Sequence, residues 1–138
     1  MDVADSLSAQ AFRNRAYTVS YKADGSPVLD VEVGIEREVG RRIRAAFPGD
    51  GILGEELGGS SEADRLWVVD PVDGTANFVE GVPIYAHMIC YVRGGWPLFA
   101  AVSAPLLGRR WWAVAGQGAF EGGRRLSVSD VPRLAEAR

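Results

Sequence analysis

The chain has 138 residues, a net charge of −3, 47% hydrophobic residues and 24% charged ones, the length and composition of one ordinary soluble domain. So mild a charge makes no electrostatic case for nucleic acid or an anionic membrane, and no apolar run approaches the roughly 20 residues that cross a bilayer. Cys90 is the single cysteine; without an intramolecular disulfide, and without a basic segment leading into an apolar core at the N-terminus, the expected compartment is a reducing cytoplasm.

Residues 4 to about 16 can form a helix with Ala4, Leu7, Ala11 and Phe12 on one face. Tyr17 to Tyr21 alternates and is β-prone, and Lys22 to Pro27 is a loop by its turn residues. The strongest helix covers residues 30–47. Val31, Ile35, Val39 and Ile43 recur every four residues, Asp30 is placed to cap the start, and Pro48-Gly49 ends it. Its charged positions read as a solvated face. Ile52-Leu53 is a short strand and Gly58 to Asp64 a polar loop or hairpin. Leu66 to Val69 reads as a buried strand. Downstream, Ile84–Val92, Trp96–Ser103 and Arg109–Ala115 are strand candidates divided by Gly-rich turns, the spacing of an antiparallel meander. His87 falls in an apolar run without the spacing of a metal site, so a core or sheet-face histidine is expected. Trp111 and Trp112 point to opposite faces of their strand, at least one into the core.

The chain is organised around Asp70-Pro71-Val72-Asp73-Gly74-Thr75. The strand delivers Asp70 to its end, Pro71 blocks further pairing, and Asp73 stands where it can cap a new helix. Gly74 allows close backbone approach. Asp-Pro and Asp-Gly pairs are also common turn chemistry. Taken together, two carboxylates, a hydroxyl and free backbone N–H groups describe a site for a hard cation and a phosphate.

This hexapeptide resembles the Asp-Pro-(Ile/Leu/Val)-Asp-Gly-Thr signature of the inositol monophosphatase-like family of metal-dependent phosphatases at every position. Gly54-Glu55-Glu56 resembles that family's upstream Gly-Glu-Glu, and Lys22 to Pro27 its Lys-x-Asp-x-(Ser/Thr)-Pro segment. The resemblance implies an α+β fold, with helices packed on a mainly antiparallel sheet. It covers the N-terminal half of such proteins as a single domain, residues 1–138. The Trp-Asp motif of the family's second half, whose Asp completes a metal site, has no counterpart after Arg125.

The implied chemistry is Mg²⁺-dependent hydrolysis of a small phosphomonoester. Glu55 and Asp70 with the Val72 carbonyl would hold one Mg²⁺, and Asp70 with Asp73 a second. Thr75 and Glu32 would orient the attacking water, and the Gly74 and Thr75 N–H groups would hold the phosphate. The family's Thr-x-x-Asp-x-x-x-Glu is Leu29, Glu32 and Glu36 here. Glu32 is therefore either a displaced orienting group or an ordinary helix-start carboxylate. Ser103 to Trp112 resembles the histidinol-phosphatase members, which puts histidinol phosphate first and inositol phosphates second. With half of the family's length missing, the expectation is an impaired enzyme, one completed by self-association or by a C-terminal-half partner, or a non-catalytic remnant.

Overall fold

The computed structural model describes residues 1–136. Its first helix, α1 (Asp2–Asn14), buries Ala4, Ser8 and Ala11. Leu7, expected on that face, is 38% exposed, and Ser8 points inward because its hydroxyl finds partners there. A small hairpin follows, β1 (Val19–Tyr21) and β2 (Pro27–Leu29).

Helix α2 (Asp30–Ala46) runs nearly as its periodicity predicts. Asp30 does not cap it. Leu29 holds the cap position, and the Asp30 carboxylate instead accepts the Thr18 N–H at 3.0 Å. The first turn is closed from within, where Glu32 Oε2 accepts the Leu29 N–H at 2.7 Å, the return half of a capping box. Val31, Ile35 and Val39 face the core. The solvated face holds at Glu38, which pairs with Arg41 and Arg42 at 2.8 Å each, but it fails at Glu32 and Glu36, which are buried. Acids are buried when their oxygens are bonded, and both of these have partners at the site.

The rest of the chain builds one sheet. Its strands are β3 (Gly51–Gly54), β4 (Gly58–Gly59), β5 (Arg65–Asp73), β6 (Ala86–Arg93), β7 (Trp96–Ala104), β8 (Arg109–Val114), β9 (Gly118–Glu121) and β10 (Arg124–Leu126), with the short helix α3 (Thr75–Glu80) between β5 and β6. The order is β10-β9-β8-β7-β6-β5-β3-β4, antiparallel except for the parallel pair β3 and β5. The fold is α+β, as expected. In the segment read as a polar loop or hairpin, Gly58 and Gly59 pair antiparallel with β3, the start of it forming a hairpin arm.

Pro71 does not end its strand. Pairing of Asp70 with Met88 resumes at Asp73 with Ala86, so Pro71 and Val72 together oppose His87 in a β-bulge. A proline is tolerated there because the bulge demands no ladder N–H from it.

Cross-strand register sets the two faces of the sheet. Val69, Ile89, Ala101, Trp112 and Phe120 form one row. This is the helix face, to which Phe47 at the end of α2 adds itself by stacking on Trp67 at 5.2 Å. Val68, Cys90, Ala100, Ala113 and Ala119 form the opposite row. The groove along Ala100, Val102, Trp111, Ala113, Ala119 and Leu126 is lined by strand residues alone. The two tryptophans do point apart, yet both are half-buried. Trp112 stacks on Phe120 at 4.2 Å, and Arg109 covers Trp111.

Phe78, fully buried, centres the core, ringed by Phe12, Tyr17 and Tyr85 at 5.1, 5.2 and 4.7 Å. Val72, inside the central hexapeptide, packs in the same core cluster. Among the described residues no helix is long and apolar enough to cross a membrane.

Candidate active site

Asp70, the last paired residue before the bulge of β5, is half-buried. Its Oδ1 atom is buried and without a hydrogen-bond partner. Burial, then the neighbouring Glu55 and Asp73 carboxylates, pushes its pKa up to about 7, while the Val72 N–H favours the charged form. Asp73 is exposed at the strand's end and caps nothing. Gly74 occupies the cap of α3 at φ 95°, a left-handed conformation that strains any other residue, and a Cβ there would also sit 3.2 Å from the Ile84 carbonyl.

Thr75 opens α3. Its hydroxyl lies 2.5 Å from Glu32 Oε1 and 3.1 Å from the Val72 carbonyl. The extra methylene of Glu32 has therefore not separated it from Thr75, and its second oxygen holds Leu29. Glu32 is 1% exposed; burial raises its pKa against the pull of those two bonds.

Glu55 sits where β3 ends, its N–H donating to the Val69 carbonyl at 3.1 Å. The turn that carries it is held by Glu36, whose carboxylate accepts the Glu56 and Leu57 N–H groups at 2.8 and 3.0 Å. Gly54 is obligatory in this arrangement, since a Cβ there would overlap the Glu36 carboxylate. From the opposite side Lys22 reaches Glu56 at 2.9 Å and Glu55 at 3.3 Å. Glu56 first and Glu55 next raise the Lys22 pKa.

Lys22, Glu36 and Glu56 are thus parts of the site that sequence reasoning did not assign. Their places in three motifs were the available signal: Lys22 in the Lys22 to Pro27 segment, Glu36 at the end of the Leu29, Glu32 and Glu36 pattern, and Glu56 in Gly54-Glu55-Glu56. Glu36→Ala is expected to lower stability by about 2 kcal/mol, because two partly buried N–H groups lose a charged, buried acceptor. Thermal melting checks the loss, and faster amide exchange at Glu56 and Leu57 locates it.

Among the described residues, no three Asp, Glu, His or Cys side chains converge closely enough, as placed, to hold a metal ion. Glu55 and Asp73 stand near Asp70 as like charges, and Lys22 lies 3.3 Å from Glu55. The donor chemistry still fits a hard divalent ion: an orphaned buried carboxylate oxygen with two acids beside it and a backbone carbonyl at Val72.

Residues 3–138 match the inositol monophosphatase family. The chain belongs to that family. The histidinol-phosphatase of Mycobacterium tuberculosis is 46% identical over 142 residues, covering 99% of this chain and 55% of that protein. The crystal structure of the extragenic suppressor protein suhB from Bartonella henselae superposes with a TM-score of 0.88 at 28% identity, over 95% of this chain and 52% of that one. An IMPase/NADP phosphatase complexed with Mg²⁺ and phosphate superposes with a TM-score of 0.78 at 27% identity, over 88% of this chain and 47% of that one. As an inositol monophosphatase family member, the chain spans about half the length of the relatives it matches.

Proposed function

We propose that this chain is the cation- and phosphate-holding half of a Mg²⁺-dependent phosphatase whose substrate is a small phosphomonoester, histidinol phosphate first. The observation that carries the reading is the buried, unpartnered Oδ1 of Asp70. A buried carboxylate oxygen left unsatisfied is costly, and a cation removes that cost. Support for the substrate comes from the 46% identical histidinol-phosphatase and from the Ser103–Trp112 stretch.

In this reading Glu55, Asp70, Asp73 and the Val72 carbonyl supply the oxygens for Mg²⁺. When bound, Mg²⁺ neutralises phosphate charge and makes water a better nucleophile. Thr75 and Glu32 orient the attacking water. Their short contact fixes the hydroxyl's direction, and the buried Glu32 charge favours a proton held at Thr75 Oγ1 over one released to solvent. The Gly74 and Thr75 N–H groups face the phosphate. Lys22, displaced from Glu55, adds a positive charge at the rim.

The test offers histidinol phosphate and inositol 1-phosphate to the chain completed with the remaining portion of the M. tuberculosis relative. Mg²⁺-dependent phosphate release favouring histidinol phosphate at least tenfold is expected. Equal rates would remove the substrate assignment, and no release from either would remove the phosphatase reading.

The uncovered apolar row of the sheet carries a further expectation. An apolar sheet face without a covering layer favours association, so the isolated 138 residues should self-associate or bind that remaining portion. Light scattering checks this; a stable monomer at high concentration that also binds no apolar dye contradicts it.

A further inference from the structure

His87 is 2% exposed and is a core histidine, as its apolar surroundings imply. It is also the single residue facing the two-residue bulge of Pro71 and Val72. Its Nδ1 contacts the Pro71 carbonyl, and its Nε2 lies 2.8 Å from Ser8 Oγ on α1. Tyr85 donates its hydroxyl to Ser8 Oγ at 3.2 Å. Burial lowers the His87 pKa, which keeps the ring neutral, with one donor nitrogen and one acceptor. A carbonyl can only accept, so Nδ1 carries the proton and Nε2 accepts from Ser8. The bonds lead from Tyr85 through Ser8 and His87 to Pro71; the Ser8 hydroxyl also lies 3.3 Å from the Asp5 carbonyl, and the Asp5 carboxylate stands 3.8 Å from Nε2.

The peptide that joins Pro71 to Val72 has two ends. Its carbonyl is held by His87, and its N–H faces the Asp70 carboxylate. Peptides are planar, so holding one end aims the other. The skipped rung gives this peptide no ladder bond; beside His87 it is held by the proline ring, by the buried Val72 side chain and by the Thr75 hydroxyl on the Val72 carbonyl.

We propose that His87 is a positioning residue for the cation site: through the Pro71 carbonyl it fixes the peptide plane that aims the Val72 N–H at Asp70 and sets where the Asp70 carboxylate and the Val72 carbonyl point. The inference rests on the reading of Asp70 and Val72 as cation ligands. It differs from a packing role because it assigns the work to one ring nitrogen. An Asn side chain can place its N–H₂ near the Nδ1 position but cannot reach Ser8; a Gln reaches toward Ser8 but abandons Pro71.

The experiment titrates Mn²⁺ into the chain and into H87N, H87Q and H87F. Water-proton relaxation reports binding, and circular dichroism and melting confirm that each variant is folded. In the wild type, long-range ¹H–¹⁵N spectra should show the Nδ1–H tautomer. The expected result is H87N within about threefold of wild type in Mn²⁺ affinity, with H87Q weaker by tenfold or more even where H87F fails to fold. Retention of affinity by H87Q, an H87N as weak as H87Q, or an Nε2–H tautomer overturns the proposal. A wild type that binds no Mn²⁺ overturns the functional reading itself and the positioning role with it. That failure is distinct, because in every other outcome the wild type binds.

Discussion

Asp70→Asn should abolish divalent-cation binding and, in the metal-free protein at neutral pH, raise stability. Both effects follow from one shifted group. The folded-state pKa of Asp70 stands near 7 against an ordinary 3.8, so the folded chain holds this proton more tightly than the unfolded one. Asp70 therefore costs nothing below about pH 4, costs progressively more as the pH rises toward 7, and costs a constant amount above that. Because the group keeps part of its contact with water, the shift is discounted to about 1–2 kcal/mol, or roughly 3–8 °C in melting temperature. The Asn variant should outlast the wild type at pH 8 and match it near pH 4.

Cation affinity has the opposite sense. It needs the ionised carboxylate, so wild-type affinity should weaken as the pH falls through 7. Mn²⁺ titrations at pH 8 and pH 6, beside melting curves across the same range, check both claims. Equal Mn²⁺ affinity in the two proteins, or a variant that melts lower at pH 8, contradicts them.

The second large effect is on turnover. The isolated 138 residues should hydrolyse phosphomonoesters several factors of ten more slowly than a full-length relative, and adding the relative's remaining portion in trans should recover part of the rate. The reason is electrostatic. Each preorganised contact to developing charge is worth about 10² to 10³ in rate, and a site whose acids do not converge lacks more than one. In the completed enzyme, Thr75→Val keeps the side-chain volume but removes the hydroxyl 2.5 Å from Glu32. It should lower kcat by about 10² to 10³ while leaving Mn²⁺ affinity within about threefold. A lone chain as fast as the intact relative, or a Thr75→Val enzyme at full kcat, defeats this account.

The sequence displayed the apolar half of this molecule well. Val31, Ile35, Val39 and Ile43 on α2 follow the period that burial imposes, and the apolar runs after residue 84, divided by Gly-rich turns, form the strands that this spacing predicts. The hexapeptide was legible because a strand end, a proline, a glycine and two acids rarely coincide. What was not legible is polar and nonlocal. The role of Glu36 shows only in the fold, where a turn 20 and 21 residues downstream brings the Glu56 and Leu57 N–H groups to its carboxylate. Ser8 and His87 show no pattern of their own, since a bond between residues 79 apart leaves no period in either segment. Pro71 misled because proline is read as a terminator, and only pairing on both sides of it shows a bulge.

The polar bonds of α1 bear on the order in which the chain assembles. Asp5 accepts the Ser103 hydroxyl at 2.8 Å and pairs with Arg110 at 2.5 Å, contacts 98 and 105 residues apart. Closing such loops is entropically slow, and contacts of this separation come late in folding. Helix α1 thus waits for β7 and β8 before Asp5 gains these partners. During synthesis, at about 5–20 residues per second, that leaves α1 polar-side open for several seconds. Mutations at Ser8, Asp5 or Ser103 should then speed unfolding more than they slow folding.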